Sequence, residues 1–96
     1  MGLEEFERAV LARMYDAGLI GMNYKNVKTV EQKINWGEMS SRYRVKRGFK
    51  KVLRRLTAGM YVSDHGKSGE VASLTHFGAD YVRGLSREEL ERLLRG

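Results

Sequence analysis

The sequence predicts a mainly α domain that carries one small β-hairpin, an α+β architecture. Three observations lead there. Apolar residues recur at helical spacing near the N-terminus, across 41–56 and again near the C-terminus. Two short extended runs, MYVS and EVASL, flank the turn-forming cluster DHGKSG. The chain has 96 residues, 42% of them hydrophobic, which suits one modest core and argues against a disordered chain.

The elements follow in order. Leu3, Phe6, Val10, Leu11 and Met14 share one helical face over residues 3–17, with Glu4, Glu5 and Glu7 where the helix dipole favours negative charge. Gly18 is the expected stop, and LIGMNY is read as a short strand. Thr29 and Gln32 have capping-box spacing for a second helix, TVEQKINW, with Val30 and Ile34 inward and Gly37 at its end. GEMSS turns the chain, and Ser40 or Ser41 caps a third helix over 41–56. Its apolar arc is Val45, Phe49, Val52, Leu53 and Leu56. Its opposite arc is Tyr43, Arg47, Lys50, Lys51 and Arg54, with Arg44 and Lys46 at the flanks. Gly48 is costly inside a helix and suggests close approach of a neighbour. The hairpin spans 60–74. Thr75 caps a fourth helix, HFGADYVRGL, and the capping box SREE starts a fifth, striped by Leu90, Leu93 and Leu94.

Charge is concentrated. The net charge is +6, yet Met39–Ser63 holds eight basic residues and no acidic one, leaving ten basic against twelve acidic elsewhere. Such a stripe attracts a polyanion, nucleic acid before an anionic membrane. Like charges so close repel one another, and a helix built only for packing would place acidic residues at i, i+4.

Other chemistry finds little support. Cysteine is absent, which removes disulfides and thiolate metal sites. Neither His65 nor His76 has a second ligand at metal spacing. GKSG at 66–69 lacks the glycine spacing of a phosphate loop and reads as a hairpin tip. No nucleophile-elbow or dinucleotide-binding motif occurs. No apolar run has membrane-spanning length, and MGLEEFERAV is unlike a targeting peptide. The expectation is a cytoplasmic binding protein without cofactor or enzymatic activity, and with no identifiable small-molecule ligand.

The order helix, short strand, helix, turn, basic helix, hairpin, helices resembles the winged helix-turn-helix family of bacterial and archaeal DNA-binding regulators. INWGEMSS carries the turn, VKRGFKKVLRRL the recognition helix, and AGMYVSDHGKSGEVASLTHFGADYV the hairpin wing and its exit. The third helix runs longer than is usual there, and the turn at Gly37 carries an extra residue. The resemblance implies three core helices plus two C-terminal helices, with residues 1–84 as the domain and 85–96 as a helix available for dimerisation. It implies double-stranded DNA as partner and a transcriptional regulator as function. Tyr43, Lys46 and Arg47 would meet base edges in the major groove. Arg44, Lys50, Lys51, Arg54, Ser41 and the amides near Thr29 would meet the backbone. His65 and Lys67 would serve the wing.

Two other classes share these features: an RNA or nonspecific nucleic-acid module, and a protein-interaction winged helix in a larger assembly. For assembly, the leucine stripe of the last helix either folds back on the first helix or joins that of a second copy. A homodimer with half-sites about one helical turn apart is the expectation.

Overall fold

The computed structural model describes residues 2–65 and 70–95. Glu4 and Glu7 form a reciprocal capping box that opens α1 (Glu5–Asp16). Gly18, at φ +74°, closes α1, and the Leu19 N–H reaches back to the Met14 carbonyl at 3.0 Å. The 19–24 segment makes a single parallel bridge, Ile20 to Leu74. The strand itself, β1 (Lys25–Asn26), comes later than the sequence suggests and leads directly into α2 (Val27–Lys33). Asn26, not Thr29, caps α2: its side chain accepts the Thr29 N–H at 2.8 Å. Asn35, left-handed at φ 56°, ends α2 and starts α3 (Trp36–Arg42), so Gly37 lies inside a helix.

The continuous helix expected over 41–56 is two helices. α3 ends in a Schellman turn, with Arg44 at φ 56° and the Val45 N–H donating to the Ser40 carbonyl at 2.8 Å. Residues 43–48 form a connector, and α4 (Phe49–Ala58) restarts with Gly48 as its N-cap in extended conformation. Ser41 therefore lies in the last turn of α3 and caps nothing at its N-terminus. Two local terms oppose a single helix. Gly48 costs about 1 kcal/mol in a helix interior, and Arg42–Lys46, Lys46–Lys50 and Arg47–Lys51 would stack like charges at i, i+4. The break also brings the first residues of α3 and α4 together, with the Trp36 and Phe49 rings 5.0 Å apart. A β-carbon at Gly48 would meet nothing within 4 Å, so it admits no close neighbour.

The hairpin strands are β2 (Val62–Ser63) and β3 (Val71–Leu74), followed by α5 (His76–Arg83) and α6 (Arg87–Arg95). The described chain thus has six helices and a three-stranded antiparallel sheet in the order β1-β3-β2, an α+β fold. Lys25 pairs with Ala72, and Val62 pairs with Leu74. α1 is the central helix. Val10, Leu11 and Met14 are fully buried, as are Val30, Met39 and Leu56 from the helices around it.

α6 packs on α1 of the same chain, and Leu93 is completely buried, with Leu90 and Leu94 partly so. Of the two placements the sequence leaves open for this leucine stripe, the chain by itself adopts the one in which it folds back on the first helix. Ion pairs line the same seam: Arg8–Glu89 at 2.6 Å and Arg92–Glu5. The Glu89 carboxylate, against the opposing effect of burial and with help from the Tyr81 hydroxyl, raises the Arg8 pKa above its ordinary value, so Arg8 stays charged in its pair with Glu89. Among the described residues, no helix is long and apolar enough to cross a membrane.

Candidate nucleic-acid interface

α4 is strongly two-sided. Phe49, Val52, Leu53 and Leu56 are buried, at the i, i+3, i+4, i+7 spacing of a core-facing stripe. Lys50, Lys51, Arg54 and Arg55 point to solvent. Among the described residues, Lys50, Lys51 and Arg54 take part in no ion pair. Two depressions flank this ridge. One, of about 470 Å³, separates α4 from the hairpin. Lys50, Arg54 and Asp64 stand at it, and Val27, Leu53 and Ala72 form its apolar floor. The other, of about 330 Å³, is lined by Arg47, Lys51, Arg54, Arg55 and Ala58.

The remaining expected contacts are distributed unevenly. Tyr43, Arg44 and Lys46 sit on the connector before α4 and not on its exposed face. Tyr43 is half-buried against the core, where it caps α3, while Arg44 and Lys46 are exposed. Arg47 is engaged within the chain. It pairs with Glu4 at 3.1 Å, and its guanidinium lies over the Phe6 ring, 5.1 Å from the centroid. Ser41 is exposed, and its carbonyl accepts the Arg44 N–H at 3.2 Å. The Thr29 amide is already taken by Asn26, so it has no donor to offer a phosphate.

His65 begins the hairpin turn at φ 54° and faces inward. Its Nε2 lies 2.7 Å from Ser73 Oγ, and that hydroxyl donates to the Gly21 carbonyl at 2.7 Å. A hydroxyl has one proton. Because Ser73 gives its proton to Gly21, His65 must donate through Nε2–H. The ring also rests on Tyr24, with centroids 4.2 Å apart. His65 thus ties the hairpin to the loop before β1. Lys67 and the GKSG tip lie outside the described residues.

Sequence reasoning missed Arg55, Glu4 and Glu7 as one cluster. Arg55 reaches Glu4 at 3.4 Å and Glu7 at 3.4 Å, and Glu7 is 1% exposed. The sequence places Glu4 and Glu7 only as first-turn charges favoured by the helix dipole, with no sign that Glu7 is buried against Arg55. The only local signal was the Glu4–Glu7 capping-box spacing; their partners are remote in the chain.

No protein-family model, curated protein or solved structure matches the chain.

Proposed function

We propose that the chain binds duplex nucleic acid, DNA first, as a winged-helix-type module that acts by binding and not by catalysis. The observation that carries this reading is the α4 ridge: Lys50, Lys51 and Arg54 are exposed and without acidic partners among the described residues. Unpaired cations on a rigid helix repel one another, and a polyphosphate relieves that repulsion while releasing counterions. The setting supports the reading further. α4 runs directly into the hairpin, and the sheet order β1-β3-β2 keeps the hairpin beside α4 across a cleft. In this arrangement α4, not a helix over 41–56, enters the major groove. Lys50 and Arg54 lie on the hairpin side and Lys51 towards the opposite depression. A role in transcriptional regulation would follow from sequence-selective binding.

The test is competition. A labelled duplex DNA is bound to the protein, then challenged with unlabelled duplex DNA, duplex RNA and single strands of matched length. Duplex DNA should compete best. Equal competition by single strands would replace this reading with a nonspecific electrostatic one.

A further inference from the structure

The arginines on the far side of α4 converge on one point. Arg47 Nη2 and Arg55 Nη1 both address the same carboxylate oxygen of Glu4, at 3.1 and 3.4 Å. Each guanidinium is also held by a group other than Glu4. Arg55 Nε rests on the buried carboxylate of Glu7, and Arg47 lies over the ring of Phe6, which is itself buried. Remove the Glu4 carboxylate, and two oriented guanidiniums still face a single oxygen-sized position. Lys51 and Arg54 border the same depression.

We propose that Arg47 and Arg55 form a clamp for a phosphodiester of the nucleic-acid backbone, and that Glu4 fills it in the free protein. The proposal rests on the duplex-binding reading above. Two arginines suit this ligand because guanidinium donors match phosphate oxygens, and one phosphodiester oxygen can take the position the Glu4 oxygen holds between them. Glu4 is displaceable. Its side chain is 51% exposed, and ion pairs at that exposure contribute little. Glu7 is not displaceable in the same way, because its side chain is 1% exposed and one carboxylate oxygen accepts the Glu4 N–H, so it cannot turn outward without unpacking the start of α1. The chain therefore holds one fixed acid that orients the clamp and one loose acid that occupies it. A backbone crossing Lys51 and Arg54 would reach Arg55 on α4 and Arg47 on the connector, which border the same depression. The occupant also screens the clamp from weakly bound anions.

The experiment compares wild-type protein with Glu4→Gln in two titrations, one with a duplex oligonucleotide and one with inorganic phosphate, reading affinity and the Nε–H resonances of Arg47 and Arg55. Glu4→Ser is the second variant; it keeps a capping oxygen for α1 but is too short to reach the arginines. Both variants should bind duplex about 3- to 10-fold more tightly than wild type. Adding Arg47→Gln should cancel the gain. If neither variant binds more tightly while Lys50→Ala still weakens duplex binding, the clamp is wrong and the α4 interface stands. If Lys50→Ala is also silent, both readings fall. If phosphate moves the arginine resonances but duplex affinity is unchanged, the ligand is a free phosphate and the backbone assignment is overturned.

Discussion

A β-carbon on Gly78 would lie 2.1 Å from the carbonyl oxygen of Tyr61. α5 is pressed against the chain just before β2 at this point, and Thr75 fixes the contact. The Thr75 N–H donates to the Tyr61 carbonyl at 3.0 Å, and its Oγ1 donates to the Met60 carbonyl at 2.6 Å. The same Oγ1 accepts the Gly78 N–H at 2.9 Å. The obstacle to a side chain is backbone, which cannot rotate away.

Gly78→Ala should therefore destabilise the fold by at least the roughly 1–3 kcal/mol usual for overpacking, read from urea unfolding. Gly37→Ala is the contrasting substitution. It sits inside α3 with nothing within 4 Å of its β-carbon position, and should stabilise by about 0.5–1 kcal/mol. Equal effects at the two glycines would contradict the packing of α5 on Tyr61.

Leu93→Ala should cost about 2–5 kcal/mol, because the side chain is completely buried against the rest of its own chain. The unfolding midpoint of both proteins should be independent of protein concentration, and light scattering should give a monomer at tens of micromolar. A midpoint that rises with concentration would mean that the α1–α6 seam is shared between two copies.

The His65–Ser73–Gly21 chain fixes a tautomer. In the neutral ring, long-range nitrogen–proton spectra should show His65 protonated at Nε2 and bare at Nδ1. Ser73→Ala should free that choice and destabilise by about 1–2 kcal/mol, since a fully buried hydroxyl and its two partners lose their bonds. A His65 with the Nδ1–H form dominant in the intact protein would break the relay.

Salt should weaken duplex binding with a definable slope. With three to five free cations on α4 and the connector, log affinity against log salt should fall with a slope of roughly −3 to −5. Lys50→Ala or Arg54→Ala should each make it shallower by about one, whatever the sequence of the duplex. A slope near zero would remove the electrostatic basis of the interface.

Much of the scaffold was legible because its signals are local. Phe6, Val10, Leu11 and Met14 mark α1 by spacing alone, and Thr75 and Ser86 sit where helices begin, with side chains that accept the Gly78 and Glu89 N–H groups. The break at 43–48 was not legible from periodicity, since Val45 fits the arc of Phe49 and Val52 whether or not the helix continues. It is decided by Arg44 turning left-handed and by Trp36 meeting Phe49, a contact between separate helices. Thr29 was mistaken for a cap because its spacing to Gln32 is right; Asn26, three residues earlier, has the better position at the end of β1. At the candidate site, Lys50, Lys51 and Arg54 follow from composition and helical phase. The engagement of Arg47 and Arg55 does not, because their partners Glu4 and Glu7 come from the start of the first helix, 43 and 51 residues away for the two pairs with Glu4.

β3 is the middle strand of the sheet but the last of the three in the chain, and Leu74 closes both sides of it. Its N–H donates to the Leu19 carbonyl at 2.8 Å, its carbonyl accepts the Gly21 N–H at 2.9 Å, and its Cα faces Val62 across the hairpin. β1 therefore has no strand partner until Val71 and Ala72 have been synthesised, and the loop after α1 none until Leu74. During synthesis the first half of the chain can form helices, yet its sheet edge waits, unpaired, for a segment far downstream. Pairings that distant are slow to form and leave strand edges exposed in the interim. The rate-limiting event in folding is thus expected to be the arrival of β3 between its neighbours. Val71 and Ala72, whose partners are the remote β1, should slow folding when weakened, more than substitutions in α6.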